Sequence, residues 1–329
     1  PQIREADATR LAALEAKPQA RAALLPQLSA SAGFDSTDSE GSRTFFTSTG
    51  GSFAINSVDS ESDADTQSWD VTLRQSVFRW QNWANLRRAD RVVAQAEVDF
   101  QAAQQGLILR TSEAYFNVLA AKDSLTAAEA AHEAFRRQLD QAEKRFEVGL
   151  IAITDVQEAK AAFDSATASL ILAKRSLANQ QEVLRELTGE VFDELARPGE
   201  KVQPAPPDPA NEDEWVKLAM DQNLALVSAR IGADITRQDI SIERGGHYPT
   251  LDLVLSRSSR DFESTFRSQG FSGPNDTDSD DESISLQLTV PIYSGGAVSS
   301  SVRQAEYRHR ASRERLERVA RETERSTRD

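Results

Sequence analysis

Apolar residues recur at alternating steps of three and four along two long stretches of this chain. The first stretch takes in Ala121, Leu125, Ala128, His132, Phe135, Leu139, Ala142 and Phe146. The second takes in Val156, Ala159, Phe163, Ala166, Leu170, Ala173, Leu177, Leu184 and Leu187, with Gln180 at the remaining seam position. Such spacing is the heptad seam along which one long helix packs on another. Between the two runs Gly149 supplies a helix stop, and Thr154 with Gln157 three residues on reads as a capping box for the next helix. Gly189 closes the second helix. So short a connection makes the two helices run antiparallel. The turn carries Val148, Leu150, Ile151 and Ile153 where a chain usually turns polar. Either they pack within the turn or they dock another protein.

Elsewhere the period drops to two. Leu28, Ala30, Ala32 and Phe34 alternate with Ser29 and Ser31, while Trp69, Val71, Leu73, Gln75 and Val77 alternate with Asp70, Thr72, Arg74 and Ser76. A third strand starts in Thr250-Leu251-Asp252-Leu253-Val254-Leu255. In a fourth, Ile284, Leu286, Leu288, Val290 and Ile292 alternate with Ser283, Ser285, Gln287 and Thr289. Each strand is about ten residues, the length of a transmembrane β-strand. Residues 35–68 and 258–282, rich in Ser, Thr, Gly and acid, read as long loops. Alternation alone fits a soluble sheet with one face on a core equally well. The helices favour the membrane: from Asn82 the helical pattern runs to Phe146, about 100 Å at 1.5 Å per residue, too long for a globular core.

The remaining segments complete a duplicated unit. A helix from Pro1 to about Ala23 is broken at Leu25-Pro26, and Arg197-Pro198-Gly199 through Pro209 forms a stiff linker. Asn211, with Glu214 three on, caps a helix running to Arg244-Gly245-Gly246. His247-Tyr248-Pro249-Thr250-Leu251 then repeats Leu24-Leu25-Pro26-Gln27-Leu28, and the fourth strand echoes Leu73 to Trp80. The expected division is a first repeat, 1–223, and a second, 224–329. By layer it is barrel strands at 27–78 and 250–293, extracellular loops at 35–68 and 258–282, helices at 82–189 and 295–329, and a linker region at 190–223. Ser326-Thr327-Arg328-Asp329 falls where Arg110-Thr111-Ser112-Glu113 falls in the first copy. A second hairpin is therefore expected beyond it, and Pro1 in place of Met implies that something upstream has been removed. Four strands cannot close a barrel, and an open edge in lipid is costly. Two chains supply eight strands, three supply twelve, and twelve leave room for water.

Composition narrows the function. The net charge of −14 excludes nucleic acid as a partner, because phosphate binding needs a basic patch. With no cysteine there are neither disulfides nor thiolate metal sites. Asp276, Asp278 and Asp280 have the odd-position spacing of an EF-hand loop. Asp281 stands at the sixth position where Gly is needed and Gln287 at the twelfth where Glu is, so a solvated loop is expected. His132 lies on the seam as a packing residue, and His247 and His309 lack ligand partners at helical spacing. Without a nucleophile–base pair, phosphate loop or metal cluster, no enzyme, cofactor or metal site is expected. An outer-membrane duct, a periplasmic adaptor and a soluble coiled-coil structural protein are the classes that remain.

Several runs carry a resemblance. They are Ser112-Glu113-Ala114-Tyr115-Phe116-Asn117-Val118-Leu119, Arg137-Gln138-Leu139-Asp140-Gln141, and Arg145-Phe146-Glu147-Val148-Gly149-Leu150-Ile151-Ala152-Ile153-Thr154-Asp155-Val156-Gln157. With Gly246-His247-Tyr248-Pro249-Thr250-Leu251-Asp252-Leu253 and Pro291-Ile292-Tyr293-Ser294-Gly295-Gly296, they resemble the TolC family of outer-membrane efflux proteins over essentially the whole chain. The resemblance implies a mixed, mainly α fold. Long coiled-coil hairpins form a helical barrel, and each chain gives four transmembrane strands to the β-barrel of a homotrimer. It implies a channel-tunnel for tripartite efflux and type I secretion in the outer membrane of a Gram-negative bacterium, extending into the periplasm. Its expected partners are a periplasmic adaptor, an inner-membrane pump or ABC exporter, and outer-membrane lipid. In the family's pattern Val148, Gly149 and Leu150 dock the adaptor, and Thr154 and Asp155 belong to the latch that holds the periplasmic end shut. The latch's other members and the pore constriction fall in the second hairpin, beyond this sequence.

Overall fold

The structure, a computed structural model, describes residues 2–49, 52–192, 194–197, 199, 210–268 and 271–329. Contacts divide the chain into two units. One is Pro1–Ala13, Gln95–Ala229 and Arg318–Asp329, and the other is Leu14–Ala94 and Arg230–Glu317. Each takes segments from both sequence repeats, so these units cut across the duplication.

The first unit is helical. Helix α3 (Trp80–Glu147) enters it at Gln95 and ends at the hairpin turn, and α4 (Ile153–Thr188) returns. The heptad reading holds position by position on α4. Val156, Ala159, Ala166 and Leu184 are buried, Phe163, Leu170, Ala173, Leu177, Gln180 and Leu187 are half-buried, and Glu158, Lys160, Asp164 and Arg175 between them are exposed. On the α3 side Phe135 and Phe146 remain more exposed than their seam positions predict. His132 packs its ring 4.9 Å from that of Phe163. Ala114, Val118 and Leu184 form the buried centre, flanked by Leu177, Leu187 and Leu195. The segment at 194–197 is pinned to α3: Tyr115 Oη donates to the Ala196 carbonyl, and Arg197 pairs with Asp123 at 2.6 Å. The greater part of the proline-rich linker lies outside the described residues.

The second unit holds a four-stranded antiparallel sheet in the order β1-β2-β3-β4. The strands are β1 (Gln27–Thr49), β2 (Ser52–Phe78), β3 (Thr250–Ser268) and β4 (Phe271–Thr289). Residues 35–68 and 258–282, expected as loops, are instead extended hairpin arms, apart from those outside the described residues. The expectation followed the apolar alternation, which stops near Phe34 and Ile284. The ladder continues because backbone N–H and C=O groups pair whatever the side chains are. Asp276, Asp278 and Asp280 thus alternate along β4 on one face and do not curl round an ion. The fourth strand ends at Thr289, short of the expected residue 293. Pro291 has no N–H to give, and β3 begins opposite, at Thr250, so this chain offers no partner further on. Both β1 and β3 begin just after a proline, Pro26 and Pro249, as the repeat requires.

Two expected helices are each split. The N-terminal one becomes α1 (Gln2–Leu14) and α2 (Ala16–Ala22), because Pro18 cannot donate to the Leu14 carbonyl. The one after the linker becomes α5 (Glu212–Gln222) and α6 (Leu224–Arg244). Asn211 caps the first of these through Asp213 N–H at 3.0 Å. Asn223 caps the second through Leu226 N–H at 3.1 Å and so divides the run. Helix α7 (Ala297–Arg328) follows β4.

Candidate functional site

Two surfaces stand out, one in each unit. At the end of α3 the backbone turns through Gly149, whose φ of +77° suits glycine. Gly149 N–H reaches the Phe146 carbonyl at 2.8 Å and Leu150 N–H reaches the Arg145 carbonyl at 2.9 Å. This pair of bonds is the Schellman stop. It leaves Val148 and Leu150 pointing into solvent, 69% and 73% exposed, with Ile153 half exposed and Ile151 partly covered. Packing within the turn therefore does not account for Val148 and Leu150.

The cap of α4 differs from the expected Thr154–Gln157 box. The helix starts at Ile153, with Ala152 at the N-cap, so Thr154 and Asp155 sit at its second and third positions. Asp155 Oδ2 accepts from Ala152 N–H at 3.3 Å. Ala152 has no side-chain oxygen to return the bond, so only half of a capping box is made. Sequence reasoning set the boundary two residues late because Thr is the commoner cap. The carboxylate three places past the extended residue was the signal that could have found it. Thr154 and Asp155 are both exposed beside the apolar tip.

In the second unit the sheet has one apolar face. Leu28 lies opposite Leu73, Leu73 opposite Leu255, and Leu255 opposite Ile284. Ala30, Val71, Leu253, Leu286, Leu251 and Leu288 extend this face. Over Leu28–Phe34 the band runs about 20 Å along the strand at 3.3 Å per residue, on the order of the apolar belt of a membrane barrel. Among its members Leu28, Phe34, Ile284, Leu286 and Leu288 are exposed. Ser29, Ser31, Asp70, Thr72, Ser256, Ser283 and Ser285 occupy the opposite face, and Ser31 hydrogen-bonds Asp70.

Sequence reasoning missed one polar pair. Asp252 lies on the polar face of β3, only 8% exposed, and accepts from Arg79 Nη2 at 2.9 Å. The pair links residues 173 positions apart, across a β2–β3 register that shifts between Ser76 and Phe78. No local pattern marks that juxtaposition.

The profile of the family described as "Outer membrane efflux protein" matches residues 1–190 and 215–329. Outer membrane protein TolC of Escherichia coli K12 is 38% identical over 321 residues, covering 96% of this chain and 62% of that protein. Its namesake in Vibrio cholerae is 36% identical over 322 residues, covering 96% and 67%. Alkaline protease secretion protein AprF of Pseudomonas aeruginosa is 30% identical, covering 92% and 60%. The chain thus spans three-fifths to two-thirds of the length of these relatives. In fold it is similar to the Campylobacter jejuni CmeC outer membrane channel, with a TM-score of 0.72 at 16% identity, covering 97% of this chain and 64% of that one. The Vibrio cholerae outer membrane protein VceC gives 0.68 at 19% identity, covering 98% and 72%. The chain belongs to the outer membrane efflux protein family, with its place in the outer membrane of a Gram-negative bacterium, extending into the periplasm.

Proposed function

We propose that this chain is a subunit of an outer-membrane export duct, a homotrimer whose twelve strands close a barrel and whose helical hairpins form a tunnel below it. The observation that carries the reading is the sheet. Its apolar face is solvent-exposed in the single chain, and its two edges, β1 and β4, have no further strand beside them among the described residues. Lipid satisfies the face and neighbouring subunits satisfy the edges. Transport, not chemistry, is the activity, and the cargo passes along the polar face of the sheet. Drugs serve as cargo when the duct meets an inner-membrane pump through its periplasmic adaptor, and proteins when it meets an ABC exporter.

In this reading Val148, Gly149 and Leu150 are the adaptor's docking tip. Gly149 shapes the turn, and the two flanking side chains supply apolar area at a site that would otherwise be polar. Thr154 and Asp155 stand beside it as this chain's share of the closing latch. The domain reading follows too: the apolar segments of β1–β4 mark the membrane layer, the helices within 82–189 and 295–329 the tunnel, and 190–223 a linker region.

The test is export from cells whose only outer-membrane duct is the full-length protein, with Leu150→Asp as the variant. Burying a leucine is worth about 1.5–3 kcal/mol, so the variant is expected to accumulate in the outer membrane as a trimer while dye efflux falls at least tenfold. Undiminished efflux would remove the tip from the docking surface, and failure of the wild-type protein to restore efflux would remove the duct.

A further inference from the structure

Just below the apolar band, within the sheet-bearing unit, the helices leave a groove lined by Trp80, Arg237, Ser241, Arg244, Tyr248 and His309. We propose that this groove binds the phosphodiester of an anionic phospholipid headgroup from the periplasmic leaflet.

Its construction is specific. Trp80 and Tyr248 meet edge to face, with centroids 5.7 Å apart, and Trp80 Nε1 donates to the Ser241 carbonyl at 3.1 Å. Gly245 makes room for this: a Cβ there would lie 2.9 Å from Trp80 Cδ1. Arg87 lies over the Trp80 ring at 5.4 Å. His309 Nδ1 is held by Thr236 Oγ1 at 3.1 Å, which fixes the ring's orientation.

The charge is the second argument. The chain carries 52 acidic against 38 basic residues, yet no carboxylate is among the residues that line this groove. Arg244 is neutralised by Glu306 at 3.0 Å, whereas Arg237 has no carboxylate partner among the described residues. A groove with surplus positive charge on an acidic protein selects an anion.

Level is the third. Trp80 follows the end of β2 by two residues and Tyr248 precedes β3 by two. At 3.3 Å per residue these two rings lie within about 10 Å of the last apolar side chains of the sheet. At that level a bilayer presents headgroups, and an aromatic pair with arginines is the ordinary furniture of such a boundary. The inference rests on the membrane reading above.

The full-length protein is reconstituted in nanodiscs, and lipid retained by the released protein is counted by native mass spectrometry. The discs are phosphatidylcholine with or without phosphatidylglycerol. Wild type is expected to retain phosphatidylglycerol in preference to phosphatidylcholine. Arg237→Gln should reduce that preference about fivefold, following the worth of one arginine near an anionic surface, with Arg237→Lys restoring most of it. Arg175→Gln, on exposed α4, serves as the unaffected control. Equal retention by Arg237→Gln and wild type overturns the groove as a lipid site. Full displacement of lipid by millimolar inorganic phosphate overturns it too, in favour of a free-anion site. Failure of the wild type to enter the discs at all overturns the membrane reading and this inference together.

Discussion

Asp155 has one observed bond and one proposed partner. Its bond to Ala152 N–H fastens the first turn of α4, and as a negative charge at a helix N-terminus it is worth about 0.3–1 kcal/mol. The proposed latch asks the same group to hold a partner on a neighbouring hairpin. Asparagine separates the two uses, because it keeps an acceptor at the third position and removes the charge. Asp155→Asn in the full-length protein is expected to melt within a degree or two of wild type and to raise ion conductance across a planar bilayer. Asp155→Ala is expected to raise conductance and to lower the melting temperature as well. Wild-type conductance in both variants would leave Asp155 a cap and nothing more. That a carboxylate stands at the start of α4 was legible from sequence, but its bonding was not, since a two-residue shift in the helix start changes which residue caps it.

The β3–β4 hairpin makes its own prediction. Beyond the apolar band, Asp261 lies directly opposite Asp278, with Glu263 opposite Asp276 further out. Desolvation, a hydrogen bond shared with Asp278, and the negative charges of Asp278 and Asp276 raise the Asp261 carboxyl above the usual aspartate range. A carboxyl whose folded value lies above its unfolded value stabilises the hairpin below the unfolded value, and that contribution is lost as pH rises through the folded one. The arm is therefore expected to be better protected in acid than at neutral pH. Amide hydrogen exchange over Thr250–Ser268 and Phe271–Thr289, corrected for intrinsic rates, measures this directly. Asp278→Asn should slow exchange at neutral pH and flatten the dependence; an unchanged profile would show that the two carboxyls ignore each other. That these acids face one another at all was hidden in the sequence, where the stretch reads as loop. Polar side chains carry no signal for a ladder made by the backbone.

At the scale of the whole molecule, the exposed band on the sheet decides behaviour in solution. Its members, Leu28, Leu286 and Leu288 among them, have nothing to cover them in a single chain. Patches of that size on a soluble protein mark an interface or an aggregation hazard. The full-length protein is expected to fractionate with the outer membrane, and on extraction to run as a trimer in detergent and precipitate when detergent is withdrawn. Sedimentation of a monodisperse species from the soluble fraction would contradict both lipid burial and barrel closure.

The sequence by itself determined the hairpin, its stop at Gly149, the seam down to the burial of individual residues on α4, and the alternation that makes one face of each strand apolar. It also determined the duplication, because both strand pairs open after a proline and lead into helices. These are local properties. Side chains three, four or two residues apart meet on one face wherever the chain goes, and a glycine at positive φ ends a helix without help from elsewhere. Only the tertiary structure decided how far the strands run past their apolar segments, that β2 of one repeat pairs with β3 of the other, and that Arg79 meets Asp252. It alone gathered Trp80, Arg237, Tyr248 and His309 round one groove. Those outcomes depend on backbone pairing and on contacts between residues far apart in sequence, whose cost is set by the closure of long loops and whose partners no short pattern names.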